Sequence, residues 1–109
     1  MTLSEKQSIF ALNFAKLILW INDQGWTVTV GEVLRTPEQE EIYFSTGKSK
    51  TKDSKHLLKL AGDLNLFVNG VYQTTKNSYK PLAEYWKSLN PLNKAGYDWG
   101  WDANHFEMD

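Results

Sequence analysis

The stretch DLNLFVNGVYQ, residues 63–73, decides the fold class. Asp63 to Val68 reads as a strand, and Val71 to Gln73 as a second strand. Between them, Asn69-Gly70 is a two-residue hairpin signal, because both residues tolerate positive φ. Upstream, Trp26 to Val30 alternates with β-branched residues and reads as another strand, which Gly31 to Leu34 can extend. Ser4 to about Asp23 reads as a helix. Ser4-Glu5-Lys6-Gln7 is a capping-box pattern, and Phe10, Phe14, Leu17 and Ile21 recur at spacings of three and four. Leu12, Leu19 and Trp20 widen that face, which predicts a well-buried helix stopping at Gly25.

Thr36-Pro37-Glu38-Gln39 starts a second helix running to about Phe44, with Thr36 as cap and Pro37 at the first helical position. Ser45 to Lys55 is polar and lysine-rich, so an exposed loop is expected. Downstream of the hairpin, Lys80 to Leu89 reads as a third helix and Asn90 to Ala95 as a loop. A turn in the last segment leads to a final strand, His105 to Glu107. Helix, strand, helix, hairpin, helix and strand in that order predict an α+β fold with a small antiparallel sheet packed by three helices.

The 109 residues suit one compact domain, 1–109. A net charge of -1 gives no overall positive field to favour nucleic acid as partner. The chain has no cysteine, which excludes disulfides, thiolate zinc clusters and cysteine nucleophiles. Any metal must therefore be bound by imidazole and carboxylate. No apolar run is long enough to span a membrane, and the first residues lack a signal-peptide pattern. A monomer without membrane insertion is expected, held in the cytoplasm until something releases it.

Two histidines carry the candidate chemistry. His56 precedes Asp63 by seven positions, and Asp102 precedes His105 by three. Two imidazoles and one carboxylate suffice for a catalytic zinc site, which keeps one position open for water. Hydrolysis also needs a base that is not a ligand, and Asp102 is placed to be one. Arg35, at a strand end before a capped helix, is the leading cation for a developing oxyanion. By spacing alone these signals are weak, since both motifs arise by chance in many proteins. A buried structural histidine, a turn aspartate and a surface ion pair for Arg35 are the bland readings beside them. The lysines at 48, 50, 52, 55 and 59 read as a solvated face, or as a means of steering toward an anionic polymer. Trp99 and Trp101 either wall a groove or pack the core.

The residues carry a resemblance. SKHLLKLAGDL, residues 54–64, resembles the Ser-x-His-x6-Asp signature of the zinc D-alanyl-D-alanine carboxypeptidases and the related bacteriophage L-alanyl-D-glutamate endolysins. DANHFE, residues 102–107, resembles their second signature, an acidic residue three positions before the last zinc histidine. GEVLRTPEQ, residues 31–39, resembles the segment carrying their active-site arginine. Three blocks in the same order, from about residue 31 to 107, make the match specific. Two positions depart from it: Leu60 stands where many members have glycine, and Gly62 stands where a larger apolar residue is usual.

The resemblance implies a hedgehog/DD-peptidase fold and one Zn2+ held by His56, Asp63 and His105. It implies Asp102 as general base and Arg35 as stabiliser of an oxyanion or substrate carboxylate. Ser54 would contact substrate near the metal. Gln39, one helical turn after Arg35, can face the same cleft, and Glu107 can orient His105. The implied activity is hydrolysis of the peptidoglycan stem peptide at L-Ala–D-Glu. A D-Ala-D-Ala carboxypeptidase and a non-catalytic zinc- or wall-binding module are the alternatives.

Overall fold

A computed structural model describes residues 1–49 and 54–109; Lys50 and Lys52 of the lysine-rich loop lie outside the described residues. Among the described residues there are three α-helices: α1 (Leu3–Asp23), α2 (Pro37–Ser45) and α3 (Lys80–Leu89). Five strands accompany them: β1 (Thr27–Val30), β2 (Ala61–Val68), β3 (Val71–Tyr72), β4 (Asn93–Ala95) and β5 (His105–Met108). The sheet is antiparallel in the order β1-β2-β5-β4, with β3 paired to the far end of β2. The α+β class expected from the sequence is the observed one.

The capping box of α1 sits two residues earlier than the sequence reading placed it. The Thr2 hydroxyl accepts from the Glu5 amide at 3.2 Å, and the Glu5 carboxylate accepts from the Thr2 amide at 3.4 Å. Glu5 is thereby the third helical residue, where an acidic side chain also meets the positive end of the helix dipole. Gln7, the residue expected to close the box, instead donates to the Leu58 carbonyl at 2.8 Å.

Phe10, Phe14, Leu17 and Ile21 are buried as their spacing requires, whereas Leu12 and Leu19 are exposed. At 3.6 residues per turn these two leucines fall about half a turn from the apolar stripe, so they do not widen it. Trp20 does, stacking on Tyr85 of α3 with ring centroids 4.7 Å apart.

The hairpin turn has φ of 52° at Asn69 and 76° at Gly70, the left-handed pair its sequence called for. β2 starts at Ala61, before Asp63, and β1 stops at Val30. The backbone pairing nevertheless runs on: the Gly31 amide donates to the Asp63 carbonyl at 2.8 Å, and the Asp63 amide to the Glu32 carbonyl at 3.0 Å. Strand β4 falls inside the stretch read as a loop. Its three residues show no apolar alternation, and its buried Asn93 is anchored by its side-chain amide, which donates to the Trp86 carbonyl at 2.9 Å.

Alternation along the central strands sorts the two faces of the sheet. Leu64 and Leu66 of β2, with Phe106 and Met108 of β5, join α1 and α3 in the core. Trp86 of α3 is fully buried, and its indole N–H donates to the carbonyls of Lys94 and Glu107, tying α3 to β4 and β5. The opposite face carries Asp63, His105 and Glu107. Asp63 and His105 are directly paired in the β2–β5 register, so their side chains emerge side by side.

Gly62 is a core position. A Cβ there would stand 2.6 Å from the ring of Phe14. The departure from the family pattern at Gly62 is thus filled from α1, whose phenylalanine occupies the space a larger residue would take.

Candidate metal centre

His56 reaches the Asp63–His105 pair from a short 3-10 turn, Lys55–Leu58. The Ser54 hydroxyl caps it, accepting from the His56 amide at 3.2 Å. Lys59 ends the turn in the left-handed region, at φ 54°, and turns the chain into β2. The six residues between His56 and Asp63 therefore fold back on themselves, and both side chains meet at one point.

The second nitrogen of each imidazole is occupied. His56 Nδ1 donates to the Val33 carbonyl at 3.1 Å, and His105 Nε2 donates to the Glu107 carboxylate at 2.8 Å. These partners assign the tautomers and leave His56 Nε2 and His105 Nδ1 as lone-pair atoms. The two nitrogens are 3.2 Å apart, and Asp63 Oδ1 lies 3.3 Å from His105 Nδ1 and 3.4 Å from His56 Nε2. Tetrahedral zinc with bonds of about 2.0–2.1 Å requires ligand–ligand edges of about 3.3 Å. The three measured separations are one face of such a tetrahedron. With both imidazoles neutral, three lone-pair donors face each other and repel, so the arrangement favours a cation at its centre, either a proton or a metal ion.

The electrostatics agree. Burial pushes His105 toward its neutral form, but Asp63 and Glu107 as hydrogen-bond acceptors, with the Asp102 charge, override it and raise its pKa to about 9. Burial pushes Asp63 up, and hydrogen bonds from His105 and His56 bring it down to about 2. Without an ion, the cluster thus gathers a proton where a metal would sit.

Asp102 stands beside this triangle with Oδ2 3.7 Å from His105 Nδ1. Its pKa is raised, first by burial and also by the Asp63 charge. Its position is set by a turn in which the His105 amide donates to the Asp102 carbonyl at 3.0 Å. Gly96 makes room for that turn, since a Cβ at Gly96 would lie 1.8 Å from the Asp102 carbonyl oxygen.

These groups open into a cleft of about 390 Å³. Arg35, Ser54, Asp102 and Glu107 all line it, together with Tyr43, Trp99 and Trp101. Gln39 does not line it; its amide is the one capped by Thr36. Of the three of these lysines that are described, Lys48 and Lys55 reach the cleft wall. The two tryptophans are surface walls rather than core: both are exposed, and Trp99 lies against the His105 ring with centroids 5.2 Å apart.

Arg35 is held more elaborately than the sequence indicated. Its guanidinium pairs with Glu32 and with the buried Glu40 of α2, and it lies 4.8 Å over the Tyr43 ring. Burial opposes its charge, but the two carboxylates outweigh this and raise its pKa. The Arg35 amide also donates to the His56 carbonyl at 3.2 Å, linking this arm to the turn that carries His56. Glu32 and Glu40 were not singled out in the sequence. Glu32 lies three residues before Arg35 and Glu40 one turn past the Thr36 cap, positions that by themselves look like solvent-facing charges.

No protein-family model matches the chain. Over 96 residues it is 28% identical to the L-alanyl-D-glutamate peptidase of Listeria phage A118, covering 84% of this chain. The chain spans only 31% of the length of that curated relative. The crystal structure of Serratia marcescens L-Ala D-Glu endopeptidase ChiX matches with a TM-score of 0.66 at 24% identity, over 76% of this chain and 67% of that one. The fold is therefore that of an L-Ala-D-Glu endopeptidase. The match to the Listeria phage peptidase supports the resemblance carried by the three sequence blocks, and the match to ChiX supports the fold.

Proposed function

We propose that this chain is a zinc-dependent endopeptidase that cuts the L-Ala–D-Glu bond of the peptidoglycan stem peptide. The observation that carries the reading is the triangle of His56 Nε2, Asp63 Oδ1 and His105 Nδ1, with edges of 3.2–3.4 Å. Two imidazoles and one carboxylate suit zinc and leave a fourth position open. The similarity to the Listeria phage A118 peptidase and to ChiX supports the substrate.

Zinc bound there would supply Lewis acidity and bring the pKa of a coordinated water toward about 7. The remaining work falls to this chain's side chains. Asp102 Oδ2 takes the proton from the attacking water and returns it to the leaving amine of D-Glu. Burial raises its pKa, which suits a group that must both accept and release a proton near neutrality. Glu107 fixes the His105 tautomer through the 2.8 Å hydrogen bond. Arg35, kept in place by Glu32 and Glu40, offers positive charge to the oxyanion or to a substrate carboxylate. Ser54 holds His56 through its backbone and lies at the cleft wall within reach of substrate.

The test is mass spectrometry of purified bacterial peptidoglycan after incubation with the zinc-loaded protein. Free stem peptides beginning at D-Glu are expected. Loss of a terminal D-Ala would move the assignment to a carboxypeptidase. Unchanged walls of several chemotypes, with zinc still bound, would leave a non-catalytic binding module.

A further inference from the structure

The cleft is chemically asymmetric about the ligand triangle. On the His56 flank, where β1 and α2 lie, its wall carries Arg35, Lys48 and Lys55. On the His105 flank, the wall is Trp99 and Trp101, whose rings lie 5.9 Å apart and are 39% and 47% exposed. Trp101 also forms one side of a second trough of about 380 Å³, so the two depressions meet at that ring. Tyr72, Gln73, Thr74, Lys76 and Asn104 line this second trough. Among the described residues no carboxylate lines it, and Lys76 is its one cation. Apart from Lys76, its lining is aromatic rings with neutral amides and hydroxyls.

That combination suits a neutral polyhydroxylated ring. A pyranose has an apolar C–H face that packs on an aromatic π face, and a rim of hydroxyl and amide groups that needs donors and acceptors. Exposed tryptophans beside a reaction site mark a recognition surface. An acidic peptide would instead favour the cationic flank. The stem peptide offers both partners on opposite sides of the bond to be cut. On the D-Glu side lie carboxylates. On the other side lies a single L-Ala, whose amine is acylated by the lactyl group of N-acetylmuramic acid. One residue spans about 3.3–3.6 Å, so sugar begins immediately beyond the cleft on that side.

We infer that Trp101 and the adjoining trough form a glycan subsite that seats the N-acetylated amino sugars of the wall strand. The flank carrying Lys48 and Lys55, with Arg35 held beside them by Glu32 and Glu40, receives the acidic peptide beyond the scissile bond. Substrate thereby lies across the triangle in one direction, with sugar on the His105 side and D-Glu on the His56 side. This assignment rests on the peptidoglycan reading above, but binding tests it separately from hydrolysis.

Two substrates are compared with the zinc-loaded protein: the muropeptide GlcNAc-MurNAc-L-Ala-D-Glu-lysyl-D-Ala and the same tetrapeptide without sugar. The ratio of their kcat/KM values is expected to favour the muropeptide and to fall about tenfold in Trp101→Ala, with Trp101→Phe restoring most of it. In parallel, the free disaccharide GlcNAc-MurNAc is titrated while backbone amide resonances are followed. Shifts at Gln73, Thr74 and Asn104 that weaken in Trp101→Ala support the subsite even if neither substrate is cut, in which case only the hydrolytic reading fails. Cleavage of both substrates with the same ratio in wild type and Trp101→Ala overturns the subsite while the hydrolytic reading stands. Disaccharide shifts confined to residues away from the trough also overturn it.

Discussion

His56 Nε2 and His105 Nδ1 face each other across 3.2 Å, each with its second ring nitrogen engaged by another group. Two neutral imidazoles cannot satisfy each other in that orientation, because each presents a lone pair. A proton or a metal ion between them relieves the conflict. One zinc per chain is therefore expected, and His105→Ala should lose zinc and hydrolysis together. At free zinc about a thousand times Kd, linkage adds about 4 kcal/mol to stability. Elemental analysis and thermal denaturation with and without chelator check this. An unchanged melting temperature on zinc addition would count against the site.

The pH dependence of the metal-free protein follows from the same cluster. His105 is raised from 6.5 to about 9, so its stabilising contribution is complete below its ordinary value and is lost as pH climbs through about 9. Asp63 is lowered from 3.8 to about 2, so its contribution is present above its ordinary value and disappears as pH falls through about 2. Metal-free stability should thus decline between pH 6.5 and about 9, while zinc affinity increases over that interval because zinc must displace the His105 proton. Urea midpoints in chelator, set beside zinc titrations at each pH, read the two opposite slopes. A zinc affinity independent of pH would argue that His105 is not a ligand.

Asp102 separates metal binding from turnover. It sits 3.7 Å from His105 Nδ1 without being one of the three converging atoms. Asp102→Asn should keep zinc and lose about 10²–10⁴ in kcat. Wild-type turnover in that variant would remove Asp102 as the base and shift attention to Glu107, the other carboxylate beside His105.

Much of this site was legible because its motifs are local. Asp102 and His105 share one turn, and Thr36 caps the helix that follows Arg35, so short spacing encoded their placement. Asp63 and His105 come together only through the β2–β5 register, which spacing along the chain does not encode; the family resemblance supplied that pairing. Strand β4 escaped because Asn93 is buried by one side-chain hydrogen bond and not by apolar character. Leu12 and Leu19 misled because hydrophobicity was read without helical angle, and Gln7 because its amide had a better acceptor in Leu58 than at its own helix start.

Glu40 was the least legible residue, a carboxylate 2% exposed on a helix with no other buried position. It takes a hydrogen bond from Ser49 at 2.6 Å as well as the Arg35 guanidinium. Glu40→Ala would leave the partly buried Arg35 guanidinium with Glu32 as its one carboxylate partner among the described residues, at a cost of about 1–3 kcal/mol for the lost charged hydrogen bond. Glu40→Gln keeps the shape and one acceptor and should cost less. If Glu40 positions Arg35 for substrate, KM or kcat should deteriorate in Glu40→Gln at temperatures where the variant is fully folded. Stability loss with unchanged kinetics would make the pair structural only.

The contact between Gly62 and Phe14 couples the core to the metal ligands. A Cβ at Gly62 would lie 2.6 Å from Phe14 Cζ, well inside van der Waals contact. The ring cannot retreat freely, because Phe10 stacks on it at 5.2 Å and Trp86 meets it edge-on at 6.4 Å. Strand β2 must therefore yield instead, and the next residue along it is Asp63. Gly62→Ala should cost about 1–3 kcal/mol from overpacking and also weaken zinc binding. Phe14→Leu opens the space, so Gly62→Ala in that background should cost less, giving a coupling on the order of 1 kcal/mol. Recovery of zinc affinity in the double variant would tie the Asp63 position to this packing. Additive stability losses would mean that the ring relaxes without moving the strand.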